Sequence, residues 1–383
     1  MRYNTHMFTR HFHATFLAVV GIILVFGLSI LMGQKPHLPK ISTSKVPTIT
    51  VTPTPTPQTT FLYYDYNNSF DRLYQYTIES NSQQGIYGAY ETKPNQTPYT
   101  SFSIFNSHLY LQNTTSAANL NLVSHFLYPV ETTSLPLTVS PSNSKAIFVT
   151  KVIDPNTKQN TSEFQLQTIS SSTPQEIPYI QELGSNPQPI CWSHYETSVI
   201  FQTQLGHLYL FSLEKKTATR IFTTPVANIA NIYCNSETNT LYYQTYNGLF
   251  SQKFTQQVSS QINISDSTLK QLQLLIFPSD LTKNIALTSF KDKLMTLNLQ
   301  NGETQTLYTA TDSATLIPYL WKGNEIIYTQ QSNQTEQGEY YLAGKVFDTK
   351  NNSDNTFAYH QANKIINLGE IIPILLISQQ KVQ

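Results

Sequence analysis

The chain has 383 residues, with 23 acidic and 23 basic side chains that cancel, and only 12% of its residues are charged while 12% are aromatic. Without clustered Lys and Arg there is no counterion-release term to hold nucleic acid, which excludes that class of partner. Two cysteines exclude a small disulfide scaffold, and the abundance of Tyr, Thr, Ser, Asn and Gln favours pleated surfaces and turns, as in an extracytoplasmic all-β protein.

Residues 1–11 read as a cytoplasmic N-terminus carrying Arg2 and Arg10. From Phe12 the sequence runs FHATFLAVVGIILVFGLSILM, and Ala14–Met32 contains no charge, which meets the roughly 18–20 apolar residues needed to cross a hydrocarbon core. The run ends LSILMGQKP, a poor cleavage site, so residues 12–33 read as an uncleaved signal anchor rather than a removed signal. The positive charges on its two sides are nearly balanced (Arg2 and Arg10 against Lys35, Lys40 and Lys45), so orientation follows from the long remainder, which has no further spanning segment. The expectation is a single-pass protein of the cell membrane, N-terminus cytoplasmic and C-terminal domain extracytoplasmic, with the membrane as its first partner.

Residues 34–60 hold six prolines and no aromatic residue, and include TVTPTPTPQTT. Such a segment buries too little surface to offset the entropy of ordering and reads as an extracytoplasmic Pro/Thr-rich linker that spaces the next domain from the membrane.

From residue 61 to 383 the texture is of short apolar runs separated by polar turns: FLYYDY, RLYQYTIE, SHLYLQN, KAIFVTKV, HLYLFSL, TLYYQTY, EIIYTQQ. The best helix candidate is DSTLKQLQLLIF (266–277), and no stretch sustains a helical period over three turns. Strands at this spacing indicate a sandwich, barrel or propeller. Self-comparison favours the propeller. Units beginning LTVSPSNSKAIFVT, PICWSHYETSVIFQT, IYCNSETNTLYYQT, LIFPSDLTKNIALTSF and IPYLWKGNEIIYTQ each continue with a third strand, a polar hairpin and a fourth strand. Two share P-x-x-W, at Pro189/Trp192 and Pro318/Trp321. Counting units gives about seven four-stranded blades, and six or eight also fit the irregular period. The first unit lacks an inner strand, and the tail EIIPILLISQQ (370–380) reads as the strand that completes it, leaving no open sheet edge.

The pattern carried by Ser140, Pro141, Lys145, Ile147 and Phe148, then by Leu208–Leu213 and by the hairpin NLQNGETQTLY (298–308), resembles the WD-repeat-like blades of TolB-type β-propellers. The resemblance covers most of residues 61–380 and implies that fold. Where the family has Ser-Pro-Asp-Gly at a blade turn, this chain has Ser-Pro-Ser-Asn (140–143), Ser-His-Tyr-Glu (193–196) and Ser-Asp-Leu-Thr (279–282). No separate N-terminal α/β domain of the TolB kind fits ahead of the strands.

Motifs of chemistry are missing from the sequence: it has no G-x-S-x-G, H-E-x-x-H, Walker loop or G-x-G-x-x-G. No catalytic residue, metal ligand or cofactor is assigned. His108, His125, His194, His207 and His360 are scattered singly, and the oxygen-rich loops 65–71 and 348–355 match no calcium-loop spacing. The acids nearest the inner strands are Asp280 and Glu370, with Glu196 and Glu237 in following turns. Trp192, Tyr319 and Trp321, near inner-strand ends, are the candidate ligand-binding residues, with packing between blades as their other reading. Cys191 and Cys234 lie in inner strands of neighbouring units. Aligning those units on Phe201 and Tyr243 offsets the cysteines by one position, so they read as two buried thiols, with a disulfide only if the register slips. The expected function is a protein- or glycan-binding or scaffolding module at the cell envelope. The alternatives are a propeller hydrolase acting on envelope carbohydrate or peptide, or a purely structural surface component.

Overall fold

The computed structural model describes residues 59–377 except 68–69, 90–97, 132–134, 154–159, 178–180, 185–186, 222–228, 257, 273, 279–283, 312–313, 333–338, 363–365 and 367–370. The expected anchor at 12–33 and all but the end of the linker lie outside the described residues. No described helix is long and apolar enough to cross a membrane.

The described strands form seven antiparallel sheets, taken one after another along the chain. They are the blades of a β-propeller. Blade 2 spans residues 101–130, blade 3 136–177, blade 4 188–220, blade 5 229–262 and blade 7 315–362, each with four strands in sequence order. Blade 6 has three full strands (285–309), and its innermost place is held by the short stretch around Ile276, bridged to Leu287. Blade 1 combines both ends of the described chain: Ile371–Ile377 pairs with Thr60–Asn67, which pairs with Phe70–Thr77 and then Ser82–Ala89. The tail thus supplies the inner strand that the first unit lacks.

Alternation along each strand sends side chains to both faces of a sheet, and both faces are covered by neighbouring blades. The apolar clusters are therefore interfaces. Phe61, Tyr63 and Phe357 join blades 7 and 1; Tyr64, Leu109 and Leu120 join 1 and 2; Ile147, Trp192 and Phe201 join 3 and 4. Ile200, Leu241 and Tyr243 join 4 and 5, Ala286 and Leu249 join 5 and 6, and Leu287, Tyr328 and Trp321 join 6 and 7. Between blades 2 and 3, Phe148 meets the rings of Phe105 and Tyr110 edge-on.

The turns explain how a chain with 13 glycines makes so many hairpins. Left-handed backbone is taken by Asn81, Asn106, Asn143, Asn239 and Asn352, whose short amide side chains tolerate it. In blades 3, 4 and 5 the same turn recurs: the amide of Asn143, Glu196 or Asn239 donates to the carbonyl of Ser140, Ser193 or Ser236, three residues earlier. The glycine place of the family turn is filled by residues held at φ of 58°, 54° and 49°. The helix candidate at 266–277 is a single short helix, Asp266–Gln271, capped by Ser265, whose side chain accepts from the Thr268 amide.

Candidate binding surface

The inner strands carry a repeated irregularity that the sequence shows only as proline. In blade 4, Pro189 faces Phe201 and Cys191 faces Ile200, leaving Ile190 as an extra residue; in blade 7, Pro318 faces Tyr328 and Leu320 faces Ile327, leaving Tyr319. Blades 1 and 3 repeat it at Pro373 and Pro136. These are β-bulges, where a residue without an amide donor is tolerated. The P-x-x-W pattern is this bulge followed by a tryptophan one turn from the hairpin.

The three candidate ligand-binding residues are not brought together. Trp192 is 2% exposed, lies between blades 3 and 4, and donates from Nε1 to Thr138 Oγ1 at 2.9 Å. Trp321 is 7% exposed between blades 6 and 7, with its Nε1 donating to the Gly323 carbonyl. Tyr319 is half-buried at its bulge, and burial raises its hydroxyl above the ordinary value. The two indoles serve as packing between blades and present no free face to a ligand.

The two cysteines form a disulfide, with Cα atoms 6.1 Å apart, which corrects the reading of two thiols. The physical reason is the one-position offset itself. Ile200, beside Cys191, faces forward to blade 5, and Leu241, beside Cys234, faces back to blade 4. Opposite faces of equivalent sheets are the faces that meet between neighbouring blades, so an offset of one position is what the bridge requires.

The acids in the turns after the inner strands, Glu196 and Glu237, are committed to contacts between blades. Glu196, in a turn of blade 4, accepts from the Ser142 amide at 2.7 Å and from Ser144 Oγ at 2.9 Å in blade 3, while its carbonyl accepts from Lys145 Nζ. Burial alone would raise the Glu196 carboxyl, but hydrogen bonds from Ser142, Ser144 and Ser140 outweigh it and hold the group below the ordinary carboxylate value. Glu237 of blade 5 pairs with His194 Nδ1 at 2.8 Å, and Asn239 Oδ1 accepts from the His194 amide. Asp280 and Glu370 lie outside the described residues. Burial, then the nearby Asp348 and Glu79, raise the Glu325 carboxyl.

The remaining histidines are held singly. His108 meets Asn119, His207 Nδ1 faces Arg220, and His360 Nε2 lies 2.6 Å from Asp65 Oδ1 between blades 7 and 1. His125 occupies a turn at φ 61°. Among the described residues no three His, Cys, Asp or Glu side chains group as metal ligands. Burial also raises the hydroxyls of Tyr63 and Tyr328, and pushes Tyr233 up to about 12, so none of these tyrosines supplies a phenolate base near neutral pH.

One end of the blades is more telling. The turns joining the first to the second strand and the third to the fourth lie at the same end of each antiparallel blade, and those of blades 3, 4 and 5 are tied together through Glu196, His194 and Asn239. At this end Val123 and Phe126 (blade 2), Ile169 (blade 3), Tyr195 (blade 4) and Val258 (blade 5) are all at least half exposed. Tyr195 is 77% exposed and rests edge-on against the His194 ring. Four consecutive blades thus offer five large apolar side chains at one end, while the opposite turns carry two, Leu205 and Tyr246.

No family model matches the chain, and no curated protein matches it. Among solved structures it is similar to TolB from Acinetobacter baumannii, at 9% identity and a TM-score of 0.36, covering 77% of this chain and 62% of that one. It is similar to an oligogalacturonate lyase in complex with manganese, at 9% identity and 0.42, covering 68% and 73%. It is also similar to dipeptidyl peptidase 4 of Porphyromonas gingivalis, at 9% identity and 0.43, covering 77% of this chain and 50% of that one. The chain spans less than two thirds of the TolB and peptidase chains. At these identities and TM-scores the likeness carries no statement of activity for this chain.

Proposed function

We propose that this protein is a membrane-anchored, extracytoplasmic β-propeller that binds another protein at the cell envelope and so acts as a scaffolding module. The observation that carries the reading is the row of exposed apolar side chains on the turns of blades 2 to 5, with Tyr195 at its centre. Aromatic and aliphatic residues on a rigid frame make good interface anchors, because little entropy is lost when they are covered. The uncharged run at 14–32 and the proline-rich spacer behind it support placing the propeller outside the membrane.

The test is site-specific photo-crosslinking from position 195 in the native cell, compared with Tyr195→Glu and Phe126→Glu variants. A discrete crosslinked partner that the charged variants lose is the expected result. Crosslinking no stronger than from an exposed polar site such as Gln204 would overturn the binding surface. The anchor is tested separately: deletion of residues 1–33 should move the protein into the soluble fraction.

A further inference from the structure

Every blade has, on its second strand, a residue that faces the preceding blade three positions after the strand enters its hairpin core. In blades 1 to 5 and 7 this residue is Tyr63, Leu111, Phe148, Phe201, Tyr243 and Tyr328, each packed against the neighbouring blade. Register places Thr288 there in blade 6, on the same face as Ala286 and opposite Met295. A large side chain is therefore replaced by a threonine at one interface of the seven.

The space is not closed by the helix Asp266–Gln271 that packs nearby through Leu269. A half-open cleft of about 120 Å³ remains, bounded by that helix on one side and the three strands of blade 6 on the other. A cavity of roughly 150 Å³ holds one benzene, so this cleft encloses only part of a six-membered ring and leaves the ring's substituents at its open side. One aromatic ring, Phe290, lines it among mostly polar groups. Thr288, Thr304 and Thr306 bring hydroxyls from blade 6, and Gln271 brings an amide from the helix. Leu272 and Met295 offer apolar surface. Lys293 also lines the cleft, and no carboxylate pairs with it among the described residues.

The second observation concerns Thr288 itself. It is 5% exposed, and its Oγ1 is buried without a hydrogen-bond partner among the described residues. A buried hydroxyl left unmade costs free energy that a ligand recovers by reaching it, here after rotation of the threonine about χ1.

We propose that the cleft between this helix and blade 6 binds one pyranose sugar unit bearing an acidic group, its ring seated over the strands where the large side chain is missing. The ring hydroxyls bond to the threonines and Gln271, the C–H face lies on Met295 and Leu272, and Lys293 meets the acid. The site is distinct from the apolar turns proposed to bind a protein, and it stands or falls separately from them.

The test is ligand-observed NMR titration of the purified full-length protein with glucuronate and with glucose. Glucuronate should bind, and glucose should bind about tenfold more weakly, the factor expected for one charge-assisted hydrogen bond. Thr288→Tyr, which restores a ring at this place, should abolish binding of both sugars, with its melting curve showing that the blades still fold. Lys293→Gln, at a partly exposed side chain, should remove the preference for glucuronate and leave glucose binding in place. Absence of glucuronate binding to the unaltered protein overturns the proposal. So does binding that both variants leave unchanged.

Discussion

Glu196 shows how one residue can carry strain and a contact together. Its backbone is held at φ 54°, where a side chain costs about 1–2 kcal/mol, and glycine would sit there without that cost. The carboxylate offsets this by taking two hydrogen bonds from the turn of the preceding blade. Glu196→Ala keeps the strain and loses both bonds, so a loss of about 1–3 kcal/mol of unfolding free energy is expected, measured by denaturant titration. The pH dependence has a definite sign. A carboxyl held below its ordinary value of 4.5 contributes stability that is fully present above that value and is lost as pH falls through the lower, folded value. Melting temperatures of the native protein and of Glu196→Gln should therefore differ at neutral pH and converge on acidification. Curves that stay parallel down to the acid transition would remove the carboxylate from this role.

At the scale of strands and blades, the cysteine bridge staples the inner strands of two neighbouring blades through residues 43 apart in sequence. Closing a loop of that length stabilises by roughly 2–4 kcal/mol. Cys191→Ser with Cys234→Ser, or reduction, should lower the melting temperature accordingly, and non-reducing mass spectrometry should find no free thiol in the native protein. This element also shows what the sequence made legible. The strands, their grouping and the family turn were readable because alternation and turn chemistry are local: Ser140 to Lys145 announces its hairpin by itself. The bridge is not legible in the sequence because facing is a property of two sheets, and one-dimensional alignment compares each residue with its equivalent rather than with its neighbour. The bulges at Ile190 and Tyr319 stayed hidden for a related reason, since only the pairing reveals the extra residue. Trp192 and Trp321 lie near inner-strand ends, as their spacing indicates, but their burial depends on the adjoining blade, which lies 50 or more residues away in the chain for some contacts, as with Trp192 and Thr138. Thr288 gave no signal as a lone residue. It becomes visible when it is set beside Phe201, Tyr243 and Tyr328 at the same place in other blades.

For the propeller as a whole, closure rests on a single strand. Ile371–Ile377 is the inner strand of blade 1 and reaches Thr60–Asn67 across nearly the full length of the domain in sequence. Ile371 is fully buried, and it packs with Phe61, Tyr63 and Phe357 where blades 7 and 1 meet. A contact so distant in sequence forms late, because its loop-closure entropy is met only when the other blades are in place. Removal of residues 371–383 should leave Thr60–Asn67 as an open edge next to an uncovered aromatic cluster, which is a template for pairing between chains. The truncated protein is expected to bind a hydrophobic dye and to elute as aggregate in size-exclusion chromatography, while a synthetic peptide of residues 369–380 supplied during refolding should restore the monomer. Recovery by the peptide separates closure from ordinary loss of stability, because a general destabilisation has no reason to respond to one strand. A truncated chain that stays monomeric without the peptide would mean that the six remaining blades hold the ring against its own open edge.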